Sequence, residues 1–488
     1  MQQISVRCVA LLVAILGLAQ PASAKDSLQQ RVEAVLAEAG PGTRFGLVVA
    51  TADGRELVAV APDNRFIPAS NTKMFPTAAT FALVTGLDQP DATGGAAVRL
   101  EKAGRGASDV ILTGYGDARL SSAADCTTDC LATLADAVAA RTRQVLDVVG
   151  DDSLFPDQRW SPGMSWNNIP TSSGTAISAL TLDDNEIALQ VIPGAVGAQP
   201  RIDLALAYYT IENRAVTVAA GKTELNVARL PGQRTVRLTG AIARDAKPED
   251  FRLGVDDPAH YAAWRLKALL EARGVKVSGA IQTRHRPFMP SDDPKLRGAT
   301  PLARPPQPEA LARLVPPPLI EDLTHTNKVS QNLHAELFLR RLGLIDGSGS
   351  IEDGEAAVKA MLARAGVPRA GFDFSDGSGM STYNRLAPRA VVTFLRWIAA
   401  QPWGAAWRTT LPIGGVDGTL RNRFKGTALE GKLTAKTGTL NASNALSGYF
   451  TAKSGQTLTF SAFANDVPSE ASATKAMDAA LELVASEN

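Results

Sequence analysis

Ser70-Asn71-Thr72-Lys73 places a hydroxyl and an amine three residues apart. If Ser70 opens a helix, positions i and i+3 share one face and the Lys73 amine reaches the Ser70 hydroxyl. A serine at a helix N-terminus also sits at the positive end of the peptide dipoles. That favours a developing alkoxide and makes the Ser70 N–H a candidate oxyanion donor. Alone, Ser-x-x-Lys is common and is usually a cap followed by an exposed lysine. Two distant elements change its meaning. Ser330-Gln331-Asn332 lies between helical stretches, and Lys436-Thr437-Gly438-Thr439 follows a short strand. Each by itself is a polar loop or a strand end with a solvated lysine. Together, and in this order, they supply a nucleophile, two amines, a second hydroxyl and an amide, which are the parts needed for acyl transfer.

Ser-x-x-Lys, Ser-x-Asn and Lys-Thr-Gly in that order form the motif set of penicillin-binding proteins and β-lactamases. Over nearly all the mature chain the sequence resembles the D-alanyl-D-alanine carboxypeptidase/endopeptidase family (class C low-molecular-mass penicillin-binding proteins, peptidase family S13). The likeness includes Asp376-Gly377-Ser378-Gly379, Tyr383-Asn384-Arg385-Leu386, Gly415-Val416-Asp417-Gly418-Thr419-Leu420 and Ser447-Gly448-Tyr449. The long separation of Ser70 from Ser330 is its most diagnostic feature, because β-lactamases and simpler carboxypeptidases leave much less chain there.

The resemblance implies an α+β fold: a transpeptidase-type domain, with an antiparallel sheet covered by helices, carrying nested inserted domains. We expect a catalytic domain at 25–85 and 283–488, an inserted domain at 86–185 and 256–282, and a β-rich domain at 186–255 nested in the second. It also implies the roles. Ser70 attacks a D-Ala–D-Ala or D-Ala–diaminopimelate carbonyl, and Lys73 takes its proton. Lys73 must then be partly neutral, through desolvation or through a neighbouring cation such as Lys436. Ser330 relays the proton to the leaving amine, and Asn332 orients the substrate amide and Lys73. Lys436, Thr437, Gly438 and Thr439 suit a terminal carboxylate, with the Thr439 N–H as second oxyanion donor. Peptidoglycan stem peptides are the implied substrates and β-lactams the implied covalent inhibitors. The glycine-rich Asp376–Gly379 loop and Asp417-Gly418 turn are expected to form walls near the cleft. A β-lactamase-like or esterase hydrolase on the same site is the alternative enzyme. A catalytically idle wall-binding protein is the reading from another class, and the complete Ser/Lys/Ser/Asn/Lys set argues against it.

The side-chain pocket departs from the family pattern. Matching on Trp166 and Ala176-Ile177-Ser178-Ala179-Leu180 places Asn168 where the family has an acid and Ser173 where it has an aromatic. Asn168 accepts a hydrogen bond but cannot pair an ammonium as a carboxylate does.

The elements that must position these groups read as follows. Residues 26–39 form an amphipathic helix, Arg44 to Ala50 a strand, and a helix opens near Ser70. Pro76, six residues into that helix, predicts a kink or a tightened first turn, since an interior proline costs about 3 kcal/mol. Strand runs follow at 187–192, 202–206, 216–219 and 235–238, then a helix at 259–273 and a short strand at 275–277. Pro301 to Pro318 reads as a surface connector. Helices dominate to about 402. Strands at 432–439, 445–451 and 457–464 come next, the last two joined across Lys453-Ser454-Gly455-Gln456, and a helix closes the chain at 469–486.

The 488-residue length implies roughly two to four domains. Net charge is +1, which gives no basis for a nucleic acid or acidic-membrane partner. Arg7, the apolar run Val9 to Ala19 and Ala22-Ser23-Ala24 form a secretory signal with cleavage expected after Ala24. The run is too short for an anchor, and no other segment approaches a transmembrane length, so a periplasmic location is expected. Cys8 would be removed with the signal. Cys126 and Cys130 are then either a disulfide, at an irregular turn because a regular helix would strain it, or two free thiols. The four histidines, His260, His285, His325 and His334, show no metal-ligand spacing, and no cofactor is expected.

Overall fold

Strand Arg44–Ala50 is apolar on consecutive positions because both of its faces are covered. Leu47 and Val49 pack with the terminal helices, whereas Val48 and Ala50 meet Val392 on the opposite side. This strand lies in a five-stranded antiparallel sheet ordered 433–440, 443–451, 457–465, 44–50, 56–60. The computed structural model describes residues 27–104, 107–298 and 307–488. The expected signal segment and the cleavage expected after Ala24 lie outside them, as do residues 301–306 of the proline-rich stretch.

Helices Leu28–Ala37 and Ala473–Glu487 cover one face of the sheet. Ser27 caps the first through a reciprocal bond with Gln30. Helices Met74–Leu83, Asn332–Gly343, Ile351–Arg364 and Pro388–Ala399 build the larger core on the other face, around Phe75, Phe394 and Trp407. The Met74–Leu83 helix is preceded by a 3₁₀ turn, Ala69–Lys73, so its first turn is tightened as Pro76 demands. The Thr77 hydroxyl donates to the Lys73 carbonyl at 2.8 Å, and the Thr72 carbonyl, which Pro76 cannot serve, accepts from the Met74 N–H.

Between Leu83 and Leu319 the chain builds separate sheets. One has five strands ordered 281–286, 148–156, 108–113, 97–102, 312–313, with helices Leu131–Arg141 and Pro258–Ala272 in its core. Residues 186–254 add a three-stranded sheet (249–254, 186–192, 201–204) and a four-stranded one built around Thr235–Ala243. The boundary expected at 282/283 passes through the strand Ile281–Arg286, which pairs in parallel with Val148–Pro156. Main-chain pairing therefore continues past residue 282. Ala312–Arg313 returns to the edge of the same sheet, so the end of the proline-rich stretch is part of it rather than a connector alone. Cys126 and Cys130 are bonded, with Cα atoms 5.8 Å apart, in the irregular turn before Leu131. Among the described residues no helix is long and apolar enough to cross a membrane.

Candidate active site

The 3₁₀ turn carrying Ser70 packs against the edge strand Leu433–Leu440. The approach is close. A Cβ on Gly438 would lie 2.6 Å from the Pro68 carbonyl and 3.1 Å from the Ser70 nitrogen. The Asn71 side chain secures the contact, donating to the Lys436 carbonyl at 2.9 Å. Ser70 stays half-buried, while Lys73 and Lys436 are fully buried.

Lys73 Nζ lies 2.8 Å from Ser70 Oγ, 2.7 Å from Asn332 Oδ1 and 2.6 Å from the Ser378 carbonyl. Lys436 Nζ donates to Ser330 Oγ at 2.9 Å and to the Thr437 carbonyl at 3.1 Å. Ser330 occupies the left-handed region, φ 66°, where helix Leu319–Val329 ends; Asn332 begins the next helix. Ser70, Lys73, Ser330, Asn332 and Lys436 thus converge from three segments of chain. Burial lowers Lys73 to about 7, against a smaller upward pull from Asp376 and Glu336. Burial, and then the charge of Lys73, also holds Lys436 well below the usual lysine range. Desolvation is the leading cause for both lysines, and the repulsion between the two buried amines acts in the same direction.

Thr437 Oγ1 lies 2.7 Å from Thr419 Oγ1, and Thr439 is exposed at the strand end. Thr419 follows Asp417, whose carboxylate binds Lys328 at 2.5 Å. The 413–420 turn therefore joins the Lys-Thr-Gly strand to the helix that ends at Ser330.

Asn168 and Ser173 do not meet as a side-chain pair. Asn168 is half-buried in the turn Trp166–Asn168, and its carbonyl accepts from the Thr171 N–H and hydroxyl. Ser173 acts through its main chain: its carbonyl accepts from Asn332 Nδ2 at 2.9 Å. Asn332 thus spends both amide groups on the protein. Behind it lies a cavity of about 20 Å³, bordered by Ser173, Asn332, Glu336 and Ser378, with room for one water.

Several contacts were not anticipated from the sequence. Glu336 Oε1 accepts from the Gly377 and Ser378 N–H at 3.0 and 2.8 Å. Asp376 accepts from Gly379, Ser381 and Asn384. The Asp376–Gly379 loop is therefore not only a wall, because Ser378 touches Lys73. The spacing of Glu336 four residues after Asn332 on one helix face was a signal that could have found it. His334 is buried between two carboxylates, Asp322 at Nδ1 and Asp184 at Nε2, the latter at 2.8 Å. Burial alone would lower it, yet Asp322 and Asp184 outweigh burial and raise it to about 10. Asp184 sits in a run of three left-handed residues, Asp183, Asp184 and Asn185, a strained conformation that persists only where its surroundings hold it.

An antiparallel sheet between helical layers, with a Ser-x-x-Lys turn, a Ser-x-Asn loop and a Lys-Thr-Gly edge strand around one cleft, defines the penicillin-binding-protein class of fold. Solved structures agree at the level of fold. Penicillin binding protein 4 (dacB) from Haemophilus influenzae superimposes with a TM-score of 0.77 at 22% identity, covering 92% of this chain and 98% of that one. Its structure complexed with a novel β-lactam gives 0.72 at 21% identity, covering 93% and 97%. The chain belongs to the D-Ala-D-Ala carboxypeptidase 3 (S13) family, whose model matches residues 28–487. It is 34% identical over 447 residues to the D-alanyl-D-alanine carboxypeptidase of Actinomadura sp. (strain R39), spanning 88% of this chain and 79% of that protein. It is 26% identical over 332 residues to the D-alanyl-D-alanine carboxypeptidase DacB of Haemophilus influenzae, spanning 65% and 64%.

Proposed function

We propose that this enzyme is exported to the periplasm, where it hydrolyses peptidoglycan stem peptides through an acyl-enzyme on Ser70, as a D-Ala–D-Ala carboxypeptidase and as an endopeptidase on D-Ala–diaminopimelate cross-links. The observation that carries this reading is the Lys73 amine, buried and lowered to about 7, 2.8 Å from Ser70 Oγ. Ser70 attacks the penultimate D-Ala carbonyl as Lys73 accepts its proton. The Ser70 and Thr439 N–H groups receive the oxyanion. The proton passes through Ser330, held by Lys436, to the leaving amine, and the C–N bond breaks. Thr437 and Thr439 receive the terminal carboxylate. Water then attacks the ester and returns Ser70. β-Lactams acylate the same hydroxyl and leave slowly.

The nested division of the chain belongs to this proposal, with the strands Ile281–Arg286 and Ala312–Arg313 added to the sheet of the first insertion. The separate sheets between Leu83 and Leu319 support it. Export rests on the residues from Arg7 to Ala24. The test is mass spectrometry of muropeptides after incubation with the enzyme and with Ser70→Ala. Loss of terminal D-Ala and cleavage of cross-links, scored separately and both dependent on Ser70, are expected. Inert muropeptides combined with fast turnover of a chromogenic β-lactam would replace this reading with that of a β-lactamase-like hydrolase.

A further inference from the structure

The Lys73 amine has three partners, and a base needs them in a particular order. To take a proton from Ser70, the neutral amine must aim its lone pair at Oγ and its two N–H groups at Asn332 Oδ1 and the Ser378 carbonyl. Asn332 opens the helix that runs to Gly343. The Ser378 carbonyl belongs to a loop wedged between that helix and the Ser70 turn. A Cβ on Gly377 would lie 2.7 Å from the Ala335 carbonyl, and one on Gly379, at φ +89°, would lie 1.9 Å from the Ala69 carbonyl. One side chain of the helix grips this loop by its main chain: Glu336, one turn after Asn332, accepts the Gly377 and Ser378 N–H on a single oxygen. Both acceptors that orient Lys73 are thus referred to one helix face.

We propose that Glu336 is a positioning residue for Lys73: it fixes the Ser378 carbonyl on which the amine is oriented, and it adds negative charge to the surroundings of that amine. The proposal rests on the acyl-transfer reading of Ser70 and Lys73. The charged groups facing Glu336 are Asp376 from the loop, Arg340 one turn further along its own helix, and Lys73 from the Ser70 turn. Arg340 is held by the Gln158 side chain and carbonyl, and it faces Glu352 as well as Glu336. Burial, with Asp376 beside it, raises Glu336 to about 7, the range in which Lys73 also titrates. Two oppositely charged groups titrating together oppose each other's protonation, which broadens the response of both.

The test is the pH profile of Ser70 acylation by a fluorescent penicillin in the full-length mature enzyme, followed by stopped flow. Labelling of the wild type that is absent in Ser70→Ala establishes the acyl-transfer reading first; its absence refutes that reading rather than this one. In the wild type the acid limb should fall with less than a one-proton slope. Glu336→Gln keeps an oxygen acceptor and removes the charge. It should steepen the limb to one proton and move it down by about one pH unit, with the plateau rate within about threefold of wild type. Glu336→Asp keeps the charge and shortens the reach. It should lower the rate about tenfold across the pH range with the limb at its wild-type position. Superimposed profiles for wild type and Glu336→Gln overturn the proposal, and so does a limb displaced equally by both variants. Should Glu336→Gln fail to fold, a full one-proton slope in the wild type or an unaltered rate in Glu336→Asp overturns it.

Discussion

His334 offers a test that links the turn at 183–185 to the Ser330 loop through a single charge. Its imidazolium joins Asp322, on the helix that ends at Ser330, to Asp184, in the left-handed run 183–185. The His334 and Asp322 side chains are only 4% and 10% exposed, whereas Asp184 is 40% exposed. Removing one partner of a buried pair costs on the order of 3–5 kcal/mol, and a partly exposed partner adds under about 1 kcal/mol. We therefore expect His334→Gln to lose about 3 kcal/mol. A double-mutant cycle with Asp322→Asn should return most of that loss as coupling. The sign with pH follows from a histidine raised to about 10 from an ordinary 6.5. Its contribution is fully present below about pH 6.5 and fades as pH rises through 10. Urea unfolding of wild type and His334→Gln should accordingly show a wide gap near pH 6 that closes towards pH 10. A gap that stays constant across that range, or a coupling below about 0.5 kcal/mol, would refute the reasoning.

Other perturbations reach the cleft itself. Gly438→Ala places a methyl 2.6 Å from the Pro68 carbonyl, beside the Ser70 nitrogen. It should slow acylation by about 10²-fold, as loss of an oxyanion donor does, measured with the fluorescent penicillin. Thr419→Val removes the hydroxyl partner of Thr437. It should raise KM for a D-Ala–D-Ala peptide several-fold while kcat changes by less than about twofold, measured by D-alanine release. Cys126→Ser with Cys130→Ser opens a loop closed across four positions. It should cost about 2 kcal/mol by chain entropy in urea unfolding, and acylation of Ser70 should be unaffected.

The legible parts of this protein were those governed by short-range pattern. Arg44–Ala50 reads as a strand because its apolar run matches the burial of both faces, and the hairpin around Gly455 follows from turn chemistry. The motif residues could be named because acyl transfer needs those side chains whatever the backbone does. What escaped notice depends on contacts distant in sequence. Ser173 contributes a carbonyl, and no residue type announces that. Glu336 was legible in principle from its spacing to Asn332, but its role appears only when the loop at 377–378 lies against it. The three parts of the Asp184–His334–Asp322 pairing are 150 and 12 residues apart, respectively, from the histidine, so scattered histidines read as ordinary ones. That a strand, Ile281–Arg286, runs across residue 282 was not legible, because β-pairing leaves no composition signal.

Peptide mapping by mass spectrometry of the β-lactam adduct addresses the central claim most directly. The account predicts one stoichiometric modification on the peptide containing Ser70, stable for the time of digestion and absent in Ser70→Ala. Modification of another residue, or none at saturating β-lactam in folded enzyme, would contradict it.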